Sequence, residues 1–215
     1  MAEIEVIPAI MPESLNDLSE KHSRVSDYVG IVQIDVMDGK FVPSVSWPYL
    51  QGLSLDKIDF DFEVDLMVEN PEEVVEDWIK AGAKRVIVHI ESTENIENVF
   101  LKIPSDIEVG IALNTETPNE KIYPLVEKVD FVQFMGIEKI GYQGQNFDER
   151  VLDKISDLRG EFNRTIISVD GGVNLETASQ LIKAGANRLV SGSAIFKNKD
   201  IGEAVKQLQN VRHSR

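Results

Sequence analysis

Apolar residues recur along the chain in two alternating rhythms. Strand-length runs occupy 4–10 "IEVIPAI", 31–36 "IVQIDV", 60–66 "FDFEVDL", 85–90 "RVIVHI", 108–113 "EVGIAL", 130–135 "DFVQFM", 165–169 "TIISV" and 188–192 "RLVSG". Between most of them lie helical periods: 71–82 "PEEVVEDWIKAG", 119–129 "NEKIYPLVEKV", 148–160 "DERVLDKISDLRG" and 174–185 "NLETASQLIKAG". Asn, Pro or Asp at their starts and Gly at several ends are helix punctuation. Only the 44–58 connection, "SVSWPYLQGLSLDKI", has no helical period, which makes it a candidate lid. Eight βα units without a break in composition predict an α/β fold: one (β/α)8 TIM barrel spanning 1–215. A doubly wound open sheet has the same local pattern. An internal echo favours the barrel: "IKAGAKRVIVH" at 79–89 returns as "IKAGANRLVSG" at 182–192, as duplication of paired units would produce.

Composition narrows the function. With 22 Lys plus Arg against 37 Asp plus Glu, the net charge is −15, which repels nucleic acid and anionic membranes. Any anion must therefore be captured locally, by backbone N–H groups. No apolar run is long enough to span a bilayer, and "MAEIEVIPAI" lacks the basic and apolar regions of a signal peptide, so a cytoplasmic protein is expected. Without cysteine, disulfides and thiolate metal sites are excluded.

Barrel sites form at the C-terminal ends of the strands. Those ends carry Asp35, Asp38, Asp65, His89, Asn114, Met135, Asp170 and Ser193. Asp38, in "MDGK", reads as a turn former. Asp35, Asp65 and Asp170 read together as a converging carboxylate set, and His89 as a structural residue of its strand. Glycine-rich loops at 141–145 "GYQGQ", 170–173 "DGGV" and 191–193 "SGS" follow the last three strands, where barrels commonly bind phosphate.

The stretches "DVMDGKFVP", "DLMV", "LNTETP", "GQNF", "VDGGV" and "AGA…SGSAIF", in this order, resemble the ribulose-phosphate 3-epimerase family over nearly the whole chain. The resemblance implies a ribulose-phosphate-binding barrel that interconverts D-ribulose 5-phosphate and D-xylulose 5-phosphate, commonly as a homo-oligomer. It implies two carboxylates that move a proton between the faces of C3, and a divalent metal held by two His and two Asp. Position by position, Asp35 and Asp170 match the acid/base pair, and Met37, Met67 and Met135 match methionines of the substrate cavity. Gly144, Gly172, Gly192 and Ser193 fall in the phosphate-binding loops.

Four positions depart from the family's pattern. The two metal-binding histidines are Gln33 and Asp65, a serine after the first strand is replaced near Pro12, and the loop "MGIEKIGYQGQNF" is one residue longer without Asn-Pro-Gly. The expected ligand set becomes Gln33 (through its carbonyl), Asp35, Asp65 and Asp170. Such oxygens suit Mg²⁺, Mn²⁺ or Ca²⁺ rather than Zn²⁺. The alternative is no ion, with one aspartate keeping a proton near neutral pH. Three functional readings follow: an epimerase with an altered site, a phosphosugar-binding homologue without efficient turnover, or an epimerase for another ketose phosphate.

Overall fold

The computed structural model of the protein describes residues 4–49, 57–142 and 144–211. Eight parallel strands close on themselves: β1 (Glu5–Ile10), β2 (Val32–Met37), β3 (Phe62–Met67), β4 (Arg85–His89), β5 (Glu108–Leu113), β6 (Phe131–Met135), β7 (Ile166–Asp170) and β8 (Arg188–Ser191). Each pairs with the next, and β8 returns to β1 from Glu5↔Arg188 to Pro8↔Ser191, which removes the open-sheet alternative. Every expected strand forms within two residues of its expected bounds.

Around the barrel lie α1 (Leu15–Ser23), α2 (Val75–Ala81), α3 (Ile96–Phe100), α4 (Arg150–Glu161), α5 (Leu175–Ala184), α6 (Ser193–Phe196) and α7 (Ile201–Gln209). Local chemistry sets several of their starts. The Asn174 side chain accepts from the N–H groups of Glu176 and Thr177, and the Thr177 hydroxyl accepts from the Asn174 N–H, a reciprocal cap for α5. The echoed segments have one shape: α2 and α5 each end at a glycine, Gly82 or Gly185, before β4 or β8. One expected helix differs. Residues 119–129 form two 3-10 helices, Asn119–Lys121 and Tyr123–Lys128. Pro124 lacks the N–H that an α-helix needs there and crowds the preceding turn.

In the connection after β2, Ser46 Oγ donates to the Asp35 carbonyl (2.8 Å) and accepts from the Met37 N–H (2.9 Å). Trp47 is buried edge-on against Trp78. These bonds fix the first part of the lid candidate to the end of β2; residues 50–56 lie outside the described residues.

The main apolar core lies between strands and helices, and a second filling runs up the inside of the barrel. At the N-terminal end, register places opposite charges side by side: Glu5 with Arg188, Glu63 with Arg85, and Arg85 with Glu108. Arg85 reaches Glu5 (3.0 Å), Glu63 (3.2 Å) and Glu108 (3.1 Å), while Arg188 reaches Glu5 (2.8 Å) and Glu108 (3.2 Å). Above this ionic plug, Phe131 fills the bore. Gly110 makes the room, since a methyl group there would overlap the Phe131 ring. The Arg188 guanidinium sits 4.6 Å from the centre of that ring.

Glu63 is fully buried in the plug, and burial, only partly offset by Arg85 and Arg188, pushes its carboxyl up to about 7. A raised carboxyl stabilises the fold below its ordinary value, and that contribution is lost as pH rises through about 7. Glu63→Gln is therefore expected to flatten the fall in stability between pH 5 and pH 8 by on the order of 2–3 kcal/mol. Urea unfolding of both proteins at the two pH values checks this; an unchanged difference between them would show that Glu63 stays ionised throughout.

Candidate active site

The C-terminal mouth of the barrel holds a cavity of about 270 Å³, a size suited to a small metabolite. Asp35 and Asp170 border it, and Met11, Met37, Met67 and Met135 line it. Register explains the convergence. Asp35 pairs with Asp65, Met37 with Met67 and Met135 with Asp170, so like positions on neighbouring strands stand at one level. Gly144, Gly172, Gly192 and Ser193 line the same cavity.

Gly172 has a φ of 70°, and a Cβ there would lie 2.9 Å from the Phe147 Cα, so the turn after β7 requires glycine. Among the described residues, the N–H groups of Gly172 and Gly192 have no protein acceptor, which leaves them available to an anion. The Lys197 ammonium comes within 3.6 Å of where a Cβ on Gly144 would stand. The sequence reading, which assigned anion capture to backbone N–H groups and helix N-termini, missed this lysine. It follows α6 by one residue and is brought to the loop only by the fold.

Below the cavity lies a buried polar layer. Gln33 Nε2 donates to Asp35 Oδ1 and to Asp170 Oδ2, both at 2.8 Å. Asp65 Oδ1 lies 3.0 Å from His89 Nε2, and its Oδ2 accepts from Gln133 Nε2 at 3.2 Å. Ser168 Oγ donates to Gln133 Oε1 at 3.0 Å. Gln133 and Ser168 were not singled out from the sequence. Their signal was a polar residue at an alternate position within the apolar strands "FVQFM" and "IISVD". His89, expected to be structural, is fully buried and bonded to one of the three aspartates. His22 lies at the periphery, stacked on Phe60, and His213 falls outside the described residues.

Gln33 turns its nitrogen, not its carbonyl, to the carboxylates, and its Oε1 is buried with no hydrogen-bond partner among the described residues. The surroundings dictate that orientation, because a carbonyl in the same place would face two carboxylate oxygens at hydrogen-bonding distance. Asp38 behaves as the turn former expected: Oδ1 accepts from the N–H groups of Lys40 and Phe41, and Oδ2 from Glu69.

Burial, followed by the charges of Asp170 and Asp65, raises the Asp35 carboxyl well above the ordinary range. Burial and the Asp65 charge push Asp170 up to about 7, against the pull of the Gln33 amide, the Gly171 N–H and His89. Burial alone would lower His89, but the adjoining Asp65 carboxylate more than compensates and holds the imidazole above its usual value. The Asp35–Asp170 pair retains a proton near neutrality.

Asp35, Asp65 and Asp170 each offer a buried oxygen within 4.8 Å of the others, a cluster able to hold a metal ion. The donors are hard carboxylate oxygens, and the one nearby imidazole is engaged with Asp65.

The sequence matches the model of the ribulose-phosphate 3 epimerase family over residues 5–196. It is 38% identical to the chloroplastic ribulose-5-phosphate-3-epimerase of Arabidopsis thaliana, over 97% of this chain and 77% of that protein. It is 32% identical to the ribulose-phosphate 3-epimerase of Bacillus subtilis (strain 168), over 97% and 100% of the two chains. Among solved structures, the 3-hexulose-6-phosphate synthase of Salmonella typhimurium superposes with a TM-score of 0.71. At 16% identity over 97% of this chain and 98% of that one, the likeness extends to the barrel alone. Family model, relatives and cavity agree: the chain belongs to the ribulose-phosphate 3-epimerase family.

Proposed function

We propose that the protein interconverts D-ribulose 5-phosphate and D-xylulose 5-phosphate by proton transfer at C3 between Asp35 and Asp170. The observation that carries this reading is the pair of carboxyls bordering the cavity, both raised by burial and by the charge of neighbouring aspartates. One ionised and one protonated carboxyl is the starting state of a two-base epimerisation. The ionised aspartate takes the proton beside the C2 ketone. Its partner returns a proton to the opposite face, and the roles exchange in the reverse direction.

The phosphate is assigned to the loops carrying Gly144, Gly172, Gly192 and Ser193, with Lys197 adding a cation on the Gly144 side. The methionine walls give the carbon chain an apolar bed and exclude water from the reacting centre. Asp35, Asp65 and Asp170 are the groups that would hold an oxygen-preferring divalent ion, Mg²⁺ or Mn²⁺ before Zn²⁺, and such an ion would stabilise negative charge on the substrate's C2 oxygen; the Gln33 amide bonded to two of them favours the other reading, an aspartate pair that works without an ion. No helix among the described residues is long and apolar enough to cross a membrane. A cytoplasmic protein is the reading that the N-terminal sequence supports, and a homo-oligomer the one that the family resemblance supports.

Asp35→Asn and Asp170→Asn are each expected to lower kcat at least 10³-fold, about 4 kcal/mol of transition-state stabilisation, with phosphosugar affinity within a few-fold of wild type. Turnover and solvent-deuterium exchange at C3, beside calorimetric binding, check this. Either variant turning over within tenfold of wild type would remove that aspartate from the proton transfer. The singly protonated pair is the active form, so kcat/KM should rise as pH increases through about 7 and fall again at higher pH. A rate that falls steadily across that range would contradict the assignment. Lys197→Met should raise KM several-fold with little change in kcat, and the difference should shrink as salt is added.

A further inference from the structure

Both carboxyls of the proposed reacting pair are held by one nitrogen. Gln33 stands two residues before Asp35, on the same inward face of β2, and its amide spans the bore to Asp170 on β7. Both N–H bonds are used, one on each carboxyl, and the nitrogen has no lone pair to give a cation. Gln33 is fully buried, whereas Asp35 and Asp170 are 6% and 8% exposed. The amide thus grips the pair from beneath while both aspartates still border the cavity.

We propose that Gln33 is a positioning residue that does the bridging work of a cation, fixing Asp35 and Asp170 in the ion-free protein and opposing a divalent ion in the gap between them. The inference rests on the two-aspartate reading above and deepens it. An ion bound between these carboxyls must displace two N–H donors or turn the amide half a revolution to offer Oε1. Turning gives up both bonds to the carboxyls, while the Oε1 it would offer is now buried with no hydrogen-bond partner among the described residues. Nor does Asp65 need an ion to be held in place, because His89 and Gln133 already hold its two oxygens. The layer is self-sufficient in donors.

The competing role for Gln33, as an oxygen ligand, predicts the opposite sign for one measurement. Wild type and Gln33→Met, which keeps the chain length and removes both ends of the amide, are stripped with chelator and titrated with Mn²⁺ alone. Free Mn²⁺ is read by electron paramagnetic resonance. Gln33→Met is expected to bind Mn²⁺ at least tenfold more tightly than wild type, since the carboxyl oxygens lose their competing donors. Equal or weaker binding would overturn the proposal. Gln33→Ser answers the same question if Gln33→Met is not recovered folded.

In chelator, wild type should turn over D-ribulose 5-phosphate, while Gln33→Met should lose at least 100-fold in kcat with KM within threefold. Added Mn²⁺ should restore part of the loss. A wild type that turns over only with added ion would also overturn the proposal. Failure of wild type to turn over with or without ion would instead overturn the epimerase reading, because Mn²⁺ affinity is measured without substrate.

Discussion

Closing eight parallel strands into a ring leaves a bore filled by side chains rather than by water, and every inward-facing residue must find its partner inside that bore. This constraint organises the molecule from one end to the other. At the N-terminal end it gathers Glu5, Glu63, Arg85, Glu108 and Arg188 into one plug, because adjacent strands place opposite charges at the same level. In the middle it matches Phe131 to the empty side of Gly110. At the C-terminal end it brings together three aspartates that are far apart in sequence.

The cost of burying those aspartates explains the residues around them. An isolated ionised carboxylate is expensive to desolvate, and three within reach of one another are more so. The chain answers with neutral and cationic donors. Gln33 binds Asp35 and Asp170, while His89 and Gln133 bind Asp65. The same burial that makes the layer costly raises the carboxyls toward neutrality, where a proton can be taken and returned. Stability and chemistry therefore draw on one arrangement, and a substitution in this layer affects both.

The surface carries the opposite bias from the substrate's needs. A protein of net charge −15 gains nothing from long-range attraction of a phosphorylated sugar. Recognition falls to short-range features: N–H groups after β7 and β8 that have no acceptor among the described residues, and the Lys197 ammonium beside the Gly144 loop. Both act within a few ångströms, inside the screening length of the medium.

The sequence by itself determined the eight strands and their order along the chain, because strand-length apolar runs alternate with helical periods from one end to the other. It also placed Asp35, Asp65 and Asp170 at strand ends and the glycines in the loops after the last strands. It erred where local pattern conceals a backbone defect, as at Pro124, which turned an expected helix into two 3-10 segments. What only the tertiary structure decided was pairing across the bore. No local signal says that the Gln33 amide turns its nitrogen toward Asp170, that His89 meets Asp65, or that Lys197 approaches Gly144. Those contacts join residues on strands and loops distant in sequence, and their geometry exists only once β8 has closed on β1.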